Sequence, residues 1–345
     1  MRGGPSGTPP GDVAMVLFVD RAVVVGAGVM GARIAEVLAL NNANVTVKDI
    51  DAAALERGRR TIEKDLDELV AFHAAKAPKA IEEFESKTGV ALSEEQKRKA
   101  REALKPTYDA ARRDRVLKKI QWTAGNDTLD KADLLIEAAP ENLALKKKLF
   151  ADLAGAVPEG CVLATNTSTL PVTEIASALP PKRRGRFLGV HFFNPPTTLP
   201  LIEVIPGIET RPDVVEDVIN YFAPMRNHRY PLVPIEVKEG PGFLVNRILA
   251  PMLQEAFACY EEGVAKPKDI DLAMQAGAGM PMGPLALADL IGLDVLLHAG
   301  ESIRAQQGGV VPQRPVQIIK QLVAAGRLGE KSGRGFYDYT KDQGT

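Results

Sequence analysis

The stretch RAVVVGAGVMG at residues 21–31 constrains this chain more than any other. A β-branched run stopped by a glycine reads as a buried strand that ends in a tight turn. From Val29 onward, VMGARIAEVLALNN has helical spacing, with Ile34, Val37, Leu38 and Ala39 apolar and Glu36 polar. Asn41 and Asn42 end that helix, and NVTVKD opens a second strand. Strand, helix and strand within about 30 residues make a βαβ unit, which demands a parallel sheet with the helix packed on one face.

Gly26-Ala27-Gly28-Val29-Met30-Gly31 is also a G-x-G-x-x-G sequence. The pattern means little in isolation. Here it follows a strand, opens a helix, and is answered by an acid, Asp49, 18 residues after Gly31 at the end of the next strand. Gly26 permits the tight turn, Gly28 lets backbone approach a pyrophosphate, and Gly31 lets helix and strand pack closely. Val29 and Met30 bring the first free N–H groups of the helix to the phosphates. A carboxylate at Asp49 binds ribose hydroxyls and repels a 2′-phosphate, so the expected cofactor is NAD rather than NADP; Lys48 beside it works against that preference. The competing reading is a glycine-rich turn without a cofactor.

The remaining chain keeps an α/β rhythm with one interruption. Residues 52–120 are highly charged and helical in period, and SEEQ at 93–96 fits a capping box in which Ser93 caps and Gln96 reaches back. Pro78, Gly89 and Pro106 punctuate this arm, which we expect to be a helical excursion without further strands. Strands are expected at 132–139, 161–165, 186–193 and 201–205, with a last extended segment at 230–239. At GPGF, residues 240–243, the character changes and helices dominate. The expected architecture is an α/β Rossmann-type domain at 17–239, with a mostly parallel sheet and the helical arm at 52–120, followed by an all-α domain at 240–345 that serves substrate binding and dimerisation. Residues 1–16, rich in Gly and Pro, read as a disordered leader.

With 345 residues the chain has length for two domains. A formal net charge of −1 points to no nucleic acid and no acidic membrane surface. No apolar run reaches the roughly 18 residues that span a bilayer. Cys161 and Cys259 lie far apart without metal-ligand spacing, so they read as plain thiols of a reducing compartment, the cytoplasm, and no metal site is expected.

A nicotinamide cofactor implies hydride transfer, and hydride leaves an alcohol carbon only if a base takes the hydroxyl proton. Histidine suits that role, and the chain has four: His73, His191, His228 and His298. Only His191 ends a strand of the α/β part, where such folds place ligands. Glu203, a lone charge inside LIEVI, is the candidate that orients the imidazole and stabilises its charged form. Judged singly, His191 also reads as a hydrogen-bonded core histidine and Glu203 as a carboxylate snorkelling from an edge strand.

Taken together, GAGVMGARIA, IEAAPENLALK, ATNTSTL, GVHFFNPP, LIEVI, GPGFLVNRIL, GAGMPMGPLALADLIGLD and KSGRGFYDY resemble the L-3-hydroxyacyl-CoA dehydrogenase family, in family order from about residue 20 to the end. The resemblance implies that His191 is the catalytic base and Glu203 its partner. It implies that Ser168 and Asn246 hydrogen-bond the substrate oxygen, and that Glu141, Lys146, Asn194 and Lys331 contact the cofactor. It also implies an acyl-CoA substrate and a homodimer built through the helical domain. Pro140 departs from the aliphatic residue usual in EAAPENL. Two other readings stay open: a related dehydrogenase of free hydroxy acids such as gulonate, and a non-catalytic cofactor-binding component of a β-oxidation complex.

Overall fold

A computed structural model describes residues 19–306 and 317–340. The leader expected at residues 1–16 lies outside the described residues. The chain divides into two compact units, one formed by the chain up to Thr167 together with Val172–Glu236, the other by Ser168–Pro171 together with the chain from Val237 onward.

The first unit is built on one sheet of eight strands: β1 (Arg21–Val25), β2 (Asn44–Lys48), β3 (Ile120–Thr123), β4 (Leu134–Glu137), β5 (Val162–Thr165), β6 (Phe187–Phe192), β7 (Leu201–Pro206) and β8 (Val233–Glu236). Their order is β3-β2-β1-β4-β5-β6-β7-β8. Every neighbouring pair is parallel except β6 with β7. Val23, Val24, Leu134–Ile136 and Val162–Ala164 are almost wholly buried, as expected of a sheet covered on both faces. Each Val, Leu or Ile side chain among them contributes roughly 1.5–3 kcal/mol on removal from water.

Helix α1 (Val29–Leu40) packs on this sheet through Ile34, Val37 and Leu38 and ends at Asn41, whose side chain donates back to Val37 O at 2.7 Å. The arm contains α2 (Ala52–Thr88), α3 (Glu94–Ala103) and α4 (Ala110–Lys118). Two features differ from the sequence reading. The 37-residue α2 runs through Pro78 instead of breaking there, and the chain re-enters the sheet at Ile120 as an edge strand. Pro78 is exposed, which places the irregularity that proline causes on the solvent side. β3 has only four residues, of which Ile120 alone is buried, so it carries too little alternation to stand out from the charged helix before it. The capping box forms as read: Gln96 N donates to Ser93 Oγ at 3.3 Å and Ser93 N to Gln96 Oε1 at 2.8 Å.

The second unit contains helices Val245–Glu261, Pro267–Ala278, Pro284–Ile291, Leu293–Gln306 and Ile318–Ala324 around Leu253, Phe257, Leu285 and Leu293. Two buried carboxylates bind it together. Asp271 accepts from Leu285 N at 2.8 Å, Ala286 N at 2.9 Å and Tyr337 Oη at 2.6 Å, so it caps the helix that starts at Pro284. Asp289 accepts from Phe336 N and Tyr337 N, both at 2.9 Å. A Cβ on Gly283 would lie 2.2 Å from Asp271, and one on Gly335 would lie 1.9 Å from Asp289, so both glycines are demanded by packing. The MPMGPLALADL and GRGFYDY stretches therefore fold into one structural network.

Candidate active site

The parallel strands β1, β2, β4, β5 and β6 end along one edge of the first unit. After β1 the chain crosses to β2 and β3 on one side, and β4 returns to the other, which opens a crevice beside β1. The glycine turn lies at that point. Gly26 has φ +104°, and a Cβ there would meet Ala138 O at 2.6 Å. A Cβ on Gly31 would lie 1.8 Å from Gly26 O, so only glycine lets α1 start so close to the turn. A Cβ on Gly28 would meet nothing within 4 Å, and no side chain caps the helix it precedes. Space, bare backbone N–H groups and helix dipole thus coincide at Gly28–Met30, which suits a pyrophosphate.

The Asp49 carboxylate is fixed beside this turn. Its Oδ2 accepts from Ala27 N at 2.8 Å and its Oδ1 from Asp51 N at 3.1 Å. Lys48 is buried and donates to Ala124 O and Gly125 O, at 2.9 and 3.1 Å, so its charge is committed to the β3 end.

His191 and Glu203 sit directly opposite each other on β6 and β7. His191 Nδ1 lies 2.8 Å from Glu203 Oε2, with both residues buried. Antiparallel pairing places their side chains on the same face, and the turn between them sets the register. That turn contains the cis peptide Asn194–Pro195 and exposes Asn194.

Glu141 and Lys146 are brought together by a residue the sequence reading passed over. Lys146, on helix α5 (Leu143–Leu153), is 1% exposed, and its Nζ lies 2.6 Å from Glu137 Oε1 and 3.4 Å from Glu141 Oε2. Thr165 Oγ1 donates to Glu137 Oε2 at 2.6 Å, and Thr167 Oγ1 to Glu141 Oε1 at 2.6 Å. Glu137 closes the apolar strand LLIE, the same signal that singled out Glu203.

Ser168, Asn246 and Lys331 belong to the second unit. Ser168 is half-buried, and its neighbour Thr169 places Oγ1 3.2 Å from Ser302 Oγ. Asn246 is the second residue of helix Val245–Glu261, which follows Gly242 at φ +72°. Lys331 Nζ pairs with Asp294 at 2.6 Å.

Cys161 is buried, which pushes its thiol up to about 12 and leaves it an inert core residue. No group of three or more His, Cys, Asp or Glu residues suited to a metal occurs among the described residues. No helix among them is long and apolar enough to cross a membrane.

Residues 21–91 and 79–239 match the family described as 3-hydroxyacyl-CoA dehydrogenase, NAD binding domain, and residues 242–339 match its C-terminal domain. The chain is 36% identical over 321 residues to the probable 3-hydroxybutyryl-CoA dehydrogenase of Bacillus subtilis, covering 93% of this chain and 98% of that one. It is 34% identical over 339 residues to the mitochondrial hydroxyacyl-coenzyme A dehydrogenase of Homo sapiens, covering 98% and 97%. The crystal structure of (S)-3-hydroxybutyryl-CoA dehydrogenase from Ralstonia eutropha superimposes with a TM-score of 0.76 at 35% identity, covering 94% of this chain and 100% of that one.

Proposed function

We propose a mechanism from one premise: this chain belongs to the 3-hydroxyacyl-CoA dehydrogenase family. It is an NAD-dependent oxidoreductase that interconverts (S)-3-hydroxyacyl-CoA and 3-ketoacyl-CoA. The open backbone at Gly28 and the carboxylate fixed at Asp49 suit the dinucleotide, which supplies the hydride acceptor when bound.

In our reading His191 is the base. With Nδ1 committed to Glu203, Nε2 takes the substrate hydroxyl proton as the C3 hydride departs. Glu203 fixes the tautomer and stabilises the imidazolium, an interaction that strengthens as charge develops. Ser168 and Asn246 hold the substrate oxygen. Glu141, Lys146, Asn194 and Lys331 orient the cofactor together with Gly26, Val29, Met30 and Gly31. Asp49 favours NAD over NADP by its charge.

The supporting observation is the 2.8 Å contact between two buried polar side chains at the ligand-binding edge of the sheet. Parallel assays with acetoacetyl-CoA and L-gulonate test the substrate: turnover confined to the thioester supports this reading, and turnover confined to gulonate overturns it. NADH binding without turnover on any acyl chain would instead favour a non-catalytic role.

We further assign the chain to β-oxidation or butanoate metabolism in the cytoplasm, working as a homodimer. Ile248, Leu272, Leu290 and Val295 of the second unit are about half exposed or more in the single chain, the apolar surface a helical dimer interface would cover. A monomeric mass at micromolar concentration in sedimentation would contradict the dimer.

A further inference from the structure

We propose that Glu137 is a positioning residue for the cofactor, a role resting on the NAD reading above, because its one buried carboxylate aims both Glu141 and Lys146 and sets the wall of the crevice. Glu137 is the last residue of β4 and is fully buried. Its Oε1 accepts from Lys146 Nζ at 2.6 Å and from Ala139 N at 2.7 Å, and its Oε2 accepts from Thr165 Oγ1 at 2.6 Å. Three donors satisfy both oxygens, which is what a carboxylate this deep requires.

These partners are distributed in a telling way. Ala139 belongs to the loop that follows β4, Thr165 to the end of β5, and Lys146 to α5 beyond the loop. Lys146 Nζ also donates to Ala139 O at 3.1 Å, so the loop is gripped at both its N–H and its carbonyl. One residue earlier, Ala138 N donates to Val25 O at 2.7 Å, and Ala138 O is the atom that leaves room only for glycine at Gly26. Two residues later comes Glu141, which meets Lys146 and Thr167. Ala138 therefore holds the loop against the β1 turn directly, and Glu137 fixes the same loop one residue on, through Ala139 N and Lys146. Within this geometry Glu137 need not touch the cofactor to govern its affinity, in the way outer partners orient ligating groups elsewhere.

A purely structural ion pair would lower stability when broken and affect every ligand alike. Positioning predicts a selective effect. Glu137→Gln, nearly equal in volume, should weaken NADH binding tenfold or more in a fluorescence titration while the KM for acetoacetyl-CoA stays within twofold. Val218→Ala, a buried helix residue remote from these groups in sequence, serves as the stability control. It should lower Tm yet leave the NADH Kd within twofold. Thr165→Val, which keeps shape and removes the 2.6 Å bond to Glu137 together with the longer 3.3 Å bond from Thr167 N, should weaken NADH threefold or more, and it carries the test if Glu137→Gln fails to fold. NADH affinity within twofold of wild type in both variants, or a loss matched by Val218→Ala at equal Tm, would overturn the assignment. The wild-type chain is titrated first; if it does not bind NADH, the cofactor reading itself falls, before any variant is measured.

Discussion

Glu203 and His191 are 12 residues apart in sequence and meet across an antiparallel strand pair at 2.8 Å. Neither side chain is tolerable alone in its surroundings. A buried carboxylate without a partner costs several kcal/mol, and a buried imidazole needs a defined hydrogen bond to fix its tautomer. The pairing resolves both problems, and the proposed acid–base role rests on it.

Glu203→Gln keeps the shape and one hydrogen bond but removes the charge that, in the proposed mechanism, stabilises the imidazolium. Its kcat should fall roughly 10³-fold, with NADH affinity unchanged. Steady-state kinetics with acetoacetyl-CoA beside an NADH titration checks it; parallel losses in both quantities would mean that Glu203 acts on the fold rather than on the proton.

Two glycines of the turn should respond in opposite ways. Gly31→Ala places a Cβ against Gly26 O and should destabilise the chain by about 3 kcal/mol or more. Gly28→Ala meets no protein atom, so Tm should hold while NADH binding weakens tenfold or more. A Gly28 variant that binds NADH normally would remove the pyrophosphate from this position.

Asp49→Ser removes the carboxylate beside the turn. The ratio of NADPH to NADH affinity should rise at least tenfold, measured by competition. An unchanged ratio would assign cofactor choice to other residues.

A second His–Glu pair, with its carboxylate fully buried, predicts a pH effect on stability. Glu36 Oε1 lies 2.6 Å from His228 Nε2, and burial raises the Glu36 carboxyl to about 7 despite that histidine. Asp65 adds to the rise and Arg33 opposes it. A carboxyl whose folded pKa exceeds its unfolded one favours the folded chain at low pH, and that advantage is lost as pH rises through about 7. Glu36→Gln should therefore raise Tm relative to wild type more at pH 8 than at pH 5. An equal or reversed difference would show that the pair with His228 offsets burial completely.

The features legible in the sequence are local ones. The glycine turn, the Asn41 stop, the capping box at Ser93 and the acid at Asp49 each depend on a few adjacent residues, and each forms. The sequence singles out His191 and Glu203 and permits their meeting, while their register across β6 and β7 comes from the structure. What escaped depends on distant partners. β3 is a strand only because β2 offers an edge at Val45–Lys48, and α2 continues past Pro78 because packing through Leu69, His73, Ala77 and Ile81 outweighs one proline. Glu137 lies inside the strand expected at 132–139 and Thr165 at the end of the one expected at 161–165, and only parallel pairing of β4 with β5 makes them neighbours.

The most direct test of the central claim is His191→Gln. Its NADH Kd and its turnover of acetoacetyl-CoA should be measured on the same preparation. If His191 is the base, the Kd should stay within twofold of wild type and turnover should fall by at least about 10³-fold. Turnover within tenfold of wild type, with NADH still bound, would contradict the assignment of His191 as the residue that handles the proton.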